Sequence, residues 1–319
     1  GCTVTQDRIK TIGRSRIQYG PLSERVYLMQ LASGEAEAVI AAMHKLAQAE
    51  GYTKLFAKVP ARSAAVFTDA GFEIEARIPD FYADGNAAFF VSRFRCEKRR
   101  RPSDAERIRK VLEVAMRRAG AGIRHPLPDD CALTFMNTDS ATKMAALYSR
   151  VFESYPFPIL DPDYIRCTMD ENFRYFGILH NAKLIALASA ERIERGVEMT
   201  DFATDPEHRR ASLAAYLLAA MEADARQDGV KTAFTIARAV SYGINIMFAR
   251  AGYAFGGTLV NNTNISGRVQ SMNIWYKPLS LSAPPNTEKT QIPLEIVPTV
   301  PPVRVAGILR HTVWQTDTK

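Results

Sequence analysis

Residues 200–214 read TDFATDPEHRRASLA, an order that predicts a short strand, a turn and the start of a long helix. Asp205-Pro206 ends the strand, because proline has no amide hydrogen to donate to a neighbouring strand. Apolar residues then recur at helical spacing as far as Gly229. The first amides of such a helix are unpaired and lie at the positive end of its dipole, so the turn predicts a binding site for an anion such as a pyrophosphate.

The turn also carries a specific spacing, Arg209-x-x-Ser212-x-Ala214. It resembles the Gln/Arg-x-x-Gly-x-Gly/Ala signature with which GNAT acetyltransferases hold the pyrophosphate of acetyl-CoA, with Ser212 standing where the family has glycine. An ordinary strand-to-helix turn with a solvated arginine pair is the alternative. The resemblance implies that acetyl-CoA is bound by eight residues around the turn: Ala203, Thr204, Arg209, Arg210, Ala211, Ser212, Leu213 and Ala214.

The segments after this helix keep the order of a GNAT domain. Residues 231–237 predict a strand, a second helix runs from about Tyr242, and residues 253–259 and 271–277 predict two closing strands. The resemblance implies that Asn245 faces the cofactor and that Phe248 contacts it. The implied fold class is α/β (α+β), the GNAT acyltransferase fold, with a central mixed sheet flanked by helices.

Further motifs along residues 7–279 are similar to those of the beta-lysine N6-acetyltransferases. They include TDFATDPE, KTAFTIARA, FARAGY and SMNIWYKPL in the second half and RVYLM and GYTKLFAKVP in the first. The resemblance implies direct transfer of an acetyl group from acetyl-CoA, in a ternary complex, to the N6 amine of beta-lysine, which yields a compatible solute. Two alternatives remain open: a GNAT enzyme for another small amine or protein lysine, and a catalytically silent, acetyl-CoA-binding regulatory protein.

The predicted reaction needs a proton acceptor, because a lysine-type ammonium is almost wholly protonated at neutral pH and a thioester reacts with the neutral amine. Glu198 and Asp201, on the strand that leads into the turn, are the candidates for this general base. Alternatively, Asp201 binds the acceptor's ammonium, or the pair is an exposed glutamate and a turn-supporting aspartate. A backbone amide near Ala203 or Thr204 is expected to stabilise the oxyanion.

Two polar or aromatic segments are candidates for the acceptor site. Asn261, Asn262 and Asn264 are expected in a loop between the last strands, where their amides suit the amine and carboxylate groups of a small diamino acid. Turn formation is the alternative for these asparagines. Residues 155–158, Tyr-Pro-Phe-Pro, predict a rigid loop that either lies over the acceptor or serves packing alone.

An internal echo suggests that the chain contains a second, incomplete copy of the fold. Phe67–Phe72 parallels Phe248–Tyr253, and two strands follow each motif. The first copy opens its helix with the acidic Glu35, so it should not bind CoA; it extends the sheet, forms a homodimer or walls off the substrate pocket. The predicted segments are a GNAT-like half domain (1–98), a basic helical linker (99–128), the GNAT domain (129–280) and a proline-rich, disordered tail (281–319).

Composition and charge exclude several other classes of protein. The formal net charge is +7, and residues 97–118 hold nine Lys or Arg against four Asp or Glu. This stretch predicts a basic amphipathic linker helix with a Ser103–Glu106 capping box, and it lacks the groove-reading and aromatic residues of a nucleic-acid site. Its apolar stripe comprises Ile108, Val111, Leu112 and Ala115. The four cysteines lack metal-ligand spacing and no apolar run suits a membrane, so a cytoplasmic enzyme without metal is predicted.

Overall fold

The computed structural model describes residues 7–122, 126–153 and 155–279, and the described strands form one 13-stranded mixed sheet flanked by helices. The strands are β1 (Arg8–Ile12), β2 (Ser15–Gly20), β3 (Arg25–Gln30), β4 (Lys54–Pro60), β5 (Glu73–Ile78), β6 (Ala88–Phe94), β7 (Cys131–Met136), β8 (Phe173–His180), β9 (Lys183–Ile193), β10 (Gly196–Thr204), β11 (Thr232–Arg238), β12 (Ala254–Ile265) and β13 (Arg268–Pro278). The helices are α1 (Ala36–Glu50), α2 (Ala61–Asp69), α3 (Glu97–Arg100), α4 (Ala105–Met116), α5 (Ala141–Val151), α6 (Pro162–Glu171), α7 (Leu213–Gln227) and α8 (Tyr242–Arg250). The predicted proline-rich tail, residues 281–319, lies outside the described residues.

The sheet contains one arrangement of strands twice. Its order is β1-β2-β3-β4-β6-β5-β12-β13-β11-β10-β9-β8-β7. Outward from the centre, β5-β6-β4-β3-β2-β1 correspond to β12-β13-β11-β10-β9-β8, and α1 and α2 correspond to α7 and α8. Each half has one parallel pair at the same place, β3 with β4 and β10 with β11. We call residues 8–94 the N-terminal half and residues 131–278, which add β7, α5 and α6, the C-terminal half.

The halves join at the centre of the sheet through the equivalent strands β5 and β12. These strands pair antiparallel at Ala76 and Gly257. A Cβ atom on Gly257 would lie 2.2 Å from the carbonyl oxygen of Glu75, and Gly257 has a φ of +135°, which side chains disfavour. Space and backbone conformation therefore both require glycine at this seam.

The asparagine segment lies in strand β12 and not in a loop, which corrects the prediction for Asn261, Asn262 and Asn264. Two buried arginines from the N-terminal side donate to its carbonyl oxygens, Arg99 Nε to Asn261 at 2.7 Å and Arg25 Nη1 to Asn262 at 2.8 Å. The side chains of Asn261 and Asn264 in turn donate to backbone carbonyls on that side, each at 2.9 Å. These residues belong to the contact between the halves.

The basic segment between the halves contains α3 and α4, and α4 packs against the C-terminal half. Its apolar stripe is confirmed, since the following residues are all buried: Ile108, Val111, Leu112 and Ala115. The predicted capping box is wrong, because α4 begins after Asp104 and no side chain caps it. Arg109 forms ion pairs with Glu106 and Glu113 on the same helix, so part of the positive charge is neutralised locally. No helix among the described residues is long and apolar enough to cross a membrane.

Helices pack on one face of the sheet near its centre and leave the opposite face to the contact between the halves. Leu55 and Val59 of β4 pack under α1 and α2, and Val197 and Met199 of β10 pack under α7. Because side chains alternate along a strand, Lys58 and Glu198 point to the opposite face. We call this the shared face. An aromatic cluster on it joins the halves and includes Tyr27, Phe56, Phe81, Phe90 and Phe234.

Candidate active site

Strands β10 and β11 pair over their first residues and then separate. Their parallel pairing ends at Glu198 and Phe234, whereas β10 continues to Thr204 and β11 continues to Arg238. Over these later residues the two strands have no register with each other. The separation opens a gap in the sheet that leads toward the turn before α7.

The predicted turn is a short 3-10 helix, Pro206–Ala211, and the long helix that follows it, α7, begins at Leu213. Ser212, between the two helices, has a φ of +54°, the left-handed conformation that favours glycine. No side chain caps α7, and its first turn contains no acidic residue. The first amides of α7, those of Leu213 and Ala214, are therefore placed to receive an anion.

The amide of Thr204 points into the gap between β10 and β11. On β10, Ala203 is in register with Leu187 of β9, and the Asp205 amide donates to the Ile185 carbonyl at 2.8 Å. Since successive amides of a strand point to opposite edges, the amides of Ala203 and Asp205 face β9 and that of Thr204 faces β11. Of the two amides predicted for the oxyanion, the geometry favours Thr204.

Asp201 lies at a bulge of β10 and is held by hydroxyl groups. The register of β10 with β9 shifts between Thr200 and Ala203, and Asp201 has a φ of +55°. Its carboxylate accepts hydrogen bonds from Tyr155 at 2.6 Å, Ser189 at 2.5 Å and Thr200 at 3.3 Å. Burial raises the pKa of Asp201 above its ordinary value, and these hydrogen bonds act against that rise. With its oxygens engaged, Asp201 is better suited to orient Tyr155 than to accept a proton.

Glu198 is the unpaired carboxylate of the site. It is partly buried on the shared face, where β10 and β11 separate, and it makes no hydrogen bond or ion pair with any described residue. Removal from water raises the pKa of Glu198 to about 8; the nearby carboxylates of Glu191 and Asp201 add to the rise, and Lys58 opposes it. A carboxylate with this pKa is matched to accepting a proton from an ammonium near neutral pH.

Two charged residues that the sequence did not single out complete the site. Glu191 on β9 is the register partner of Glu198, so the two carboxylates lie side by side. Lys58 comes from β4 of the N-terminal half, and its Nζ lies 5.3 Å from the centre of the Phe81 ring. The Phe81 ring lies 5.4 Å from that of Phe234, which is the register partner of Glu198 on β11. The site therefore contains charges of both signs and takes residues from both halves.

Known proteins are similar to this chain in sequence. Residues 142–253 match the model of the Acetyltransferase (GNAT) family. A beta-lysine N(6)-acetyltransferase of Methanococcus maripaludis is 36% identical over 273 residues, which cover 85% of this chain and 98% of that protein. The chain belongs to the beta-lysine N6-acetyltransferase family. It is therefore an N-acetyltransferase of the GNAT superfamily.

Other relatives of this family member match shorter parts of the chain. The N-acetyltransferase YodP of Bacillus subtilis is 34% identical over 210 residues, 65% of this chain and 76% of that protein. Among solved structures, the ribosomal-protein-S18-alanine N-acetyltransferase of Escherichia coli covers 49% of this chain and 97% of its own, with 18% identity and a TM-score of 0.43.

GNAT acetyltransferases use acetyl-CoA as the co-substrate, and the turn before α7 fits its pyrophosphate. The start of α7 offers uncapped amides and the positive end of the helix dipole, and Arg209 in the preceding turn is exposed. In the N-terminal half, the corresponding helix α1 carries Glu35 at its N-cap. The carboxylate of Glu35 accepts hydrogen bonds from the amides of Arg14 and Ser15 at 3.1 Å. An acid thus stands in the N-terminal half where the C-terminal half can receive a phosphate.

In this beta-lysine N6-acetyltransferase family member, Asn245 and Phe248, which were predicted to contact the cofactor, lie in the core. Asn245 is fully buried, and its Nδ2 donates to two backbone carbonyls. Its Oδ1 accepts hydrogen bonds from Asn273 and Trp275, each at 2.9 Å. Phe248 is also fully buried and packs edge-to-face against Phe202. Both residues stabilise the core that α8 forms with the sheet.

Proposed function

We propose that this enzyme transfers the acetyl group of acetyl-CoA directly to the N6 amine of beta-lysine and produces N6-acetyl-beta-lysine. The proposal is carried by Glu198, an unpaired and partly buried carboxylate with a pKa of about 8 at the point where β10 and β11 separate. The relative with 36% identity, which is named for this reaction, supports the choice of acceptor.

In this mechanism the chain supplies a proton acceptor and an oxyanion donor. Acetyl-CoA, when bound, supplies a thioester whose carbonyl carbon is open to attack by a neutral amine. Glu198 takes a proton from the N6 ammonium, directly or through water, which frees the nitrogen lone pair for the attack. The amide of Thr204 donates a hydrogen bond to the carbonyl oxygen as negative charge develops on it. The C–N bond forms, the C–S bond breaks, and the sulfur leaves as a thiolate. The nitrogen gives up its second proton, which the thiolate takes up, so the products are the neutral amide and the thiol of CoA.

The surroundings of Glu198 favour a small acceptor over a lysine on a protein surface. Tyr155 of the aromatic loop donates to Asp201, and the carbonyl of Pro156 in the same loop accepts a hydrogen bond from Gln18 Nε2 at 3.2 Å. Since Gln18 belongs to the N-terminal half, the loop spans from one half to the other beside the site. An acceptor that must fit between this loop and Glu198 is expected to be a small molecule. The charged residues of the site suit an acceptor that carries several charges itself.

A thiol-release assay tests the proposal with beta-lysine, alpha-lysine and a polyamine at equal concentrations. Beta-lysine should be preferred by roughly a hundredfold or more in kcat/KM, because moving one amine leaves buried polar partners unpaired. Equal rates on all three amines would reject beta-lysine specificity and leave a general amine N-acetyltransferase. Binding of acetyl-CoA without thiol release to any amine would favour a regulatory protein.

A further inference from the structure

We propose that Lys58, which the N-terminal half supplies, binds the carboxylate of the acceptor and so selects amino acids over simple diamines. This inference rests on the proposed function, because it assigns the recognition group of the same pocket. It gives the N-terminal half a direct part in substrate choice.

Lys58 is partly buried and, unlike the fully buried Lys54, makes no hydrogen bond or ion pair with a described residue, although Glu191 and Glu198 act on it at longer range. Lys54 lies four residues earlier, on the same face of β4. It donates hydrogen bonds to Glu75 at 2.8 Å and to the carbonyl of Val260 at 2.7 Å. The ammonium of Lys58 makes no hydrogen bond or ion pair with any described residue, and the contact it does make is with the ring of Phe81. A partly buried ammonium in this state is ready to receive an anion from outside the chain.

Lys58 lies near Glu198, the proposed general base, with two aromatic rings beside them. Phe81 packs between Lys58 and Phe234, and Phe234 is the register neighbour of Glu198. Lys58 and Glu198 therefore border the same aromatic pair from opposite halves. The acceptor's reacting amine must lie at Glu198, beside the gap, so the remainder of the molecule extends over these rings toward β4.

The charges of the site complement those of a diamino acid. Glu191 and Glu198 lie side by side, and the electrostatic field at Lys58 comes from these two carboxylates and from the more exposed Glu194. Two carboxylates and one ammonium match the two ammonium groups and one carboxylate of beta-lysine. In this arrangement Glu198 receives the N6 amine, Glu191 receives the second amine and Lys58 receives the carboxylate.

The decisive comparison is between beta-lysine and pentane-1,4-diamine, which has the same two amines and lacks the carboxylate. Lys58→Met should lower kcat/KM for beta-lysine by roughly 30- to 100-fold, mainly through KM, because a charge-assisted hydrogen bond is lost. The same variant should change kcat/KM for pentane-1,4-diamine much less, so the ratio of the two values should fall. Lys58→Arg should recover much of the activity on beta-lysine, since it keeps the charge.

The ratio of kcat/KM for beta-lysine to kcat/KM for pentane-1,4-diamine distinguishes binding of the carboxylate by Lys58 from an indirect effect of Lys58 on Glu198. Removing Lys58 also changes the field at Glu198, but both amines use that base, so at one pH this effect cancels in the ratio. Lys45→Met, an exposed cation on α1 of the same half, is the matched control. An equal loss on both substrates, or an unchanged ratio, would overturn the inference. Failure of the wild-type enzyme to acetylate beta-lysine would instead overturn the proposed function.

Discussion

Glu198 and Asp201 lie three positions apart on β10, yet the first is unpaired and the second accepts three hydroxyl hydrogen bonds. We therefore expect Glu198→Gln to lower kcat by about 10²- to 10⁴-fold, because the variant cannot accept the proton of the ammonium. The wild-type kcat/KM should rise with pH and level off above about pH 8, the pKa of this carboxyl. The Gln variant should lose that rise. Stopped-time thiol-release assays between pH 6 and pH 9 measure both effects.

Asp201→Asn serves as the control for this experiment. The amide keeps one oxygen, which can still accept hydrogen bonds from Tyr155 and Thr200, and its NH2 group can donate to the Ser189 hydroxyl. We therefore expect a smaller loss of kcat and a pH profile that still rises with pH. A steep pH profile that persists in Glu198→Gln and disappears in Asp201→Asn would exchange the roles of the two residues.

The same carboxyl makes the stability of the fold depend on pH. Glu198 has a pKa of about 8 in the folded protein, against an ordinary value of 4.5, so the folded state holds its proton more tightly than the unfolded chain. The contribution of this group to stability is therefore present at low pH and is lost as the pH rises toward 8. Glu198→Gln should melt at the same temperature as the wild type at pH 5 and several degrees higher at pH 9. A lower melting temperature for the variant at pH 9 would contradict this assignment.

Ser212 adopts a left-handed conformation at the junction between the 3-10 helix and α7. Glycine avoids the steric cost of that conformation, so Ser212→Gly should raise the free energy of unfolding by about 1 kcal/mol and should retain or tighten acetyl-CoA binding. Ser212→Phe should abolish binding, because a large side chain would cover the uncapped amides. Calorimetric titration and denaturant unfolding measure these outcomes. Unchanged affinity in a folded Phe variant would remove the cofactor from this turn.

From the sequence, two residues, Glu198 and Asp201, were both suited to be the general base, and no pattern decided between them. In a regular strand, residues three apart point to opposite faces. The bulge at Asp201 breaks that rule and turns both carboxylates toward the shared face. The sequence of the strand does not predict the bulge, because aspartate can adopt a positive φ but occurs mostly at negative φ. The sequence did not indicate Lys58 as a site residue for a different reason. Its proposed role depends on the position of its strand, β4, relative to β10 of the C-terminal half.

Among the elements, β12 depends most on its partners from the N-terminal half. Lys54 is fully buried, and it ties Glu75 of β5 to the Val260 carbonyl of β12. Lys54→Met should destabilise the protein by about 3–5 kcal/mol, because Glu75 would be left as a buried charge without a counter-ion, held only by the hydrogen bonds from Ser92 and the Val260 amide. Combining it with Glu75→Gln should recover much of that loss. Urea unfolding of the single and double variants tests the coupling, and equal midpoints for both would contradict it.

Element boundaries were predictable where local chemistry sets them. The strand predicted at residues 231–237 is β11, Thr232–Arg238, and the helix predicted from about Tyr242 is α8, Tyr242–Arg250. The asparagine segment was assigned to a loop, because Asn-rich runs favour turns in isolation. In the protein, Arg25 and Arg99 donate hydrogen bonds to backbone carbonyls of this segment. These contacts stabilise a strand conformation that the local sequence disfavours. Such tertiary contacts between distant segments are invisible in a local pattern.

For the whole molecule, the two halves repeat one topology but differ at the helix that follows the parallel pair. α7 begins without a cap or an acid, whereas α1 begins at Glu35, whose carboxylate is already engaged by two amides. We therefore expect one acetyl-CoA bound per chain in a calorimetric titration. Ser212→Phe, as the control, should reduce the stoichiometry to zero. A stoichiometry of two would contradict the assignment of the N-terminal half as a structural and acceptor-binding unit.

The seam at Ala76 and Gly257 joins a strand to its own counterpart, the way two copies of one chain meet around a two-fold axis. Separate copies would assemble only at sufficient concentration, and they would come apart on dilution. Here one polypeptide connects the two halves through residues 95–130, and a covalent link holds them at a local concentration that does not fall on dilution. One chain therefore supplies both Lys58 and Glu198, and the proposed acceptor pocket does not need a second copy of the chain to provide either side chain.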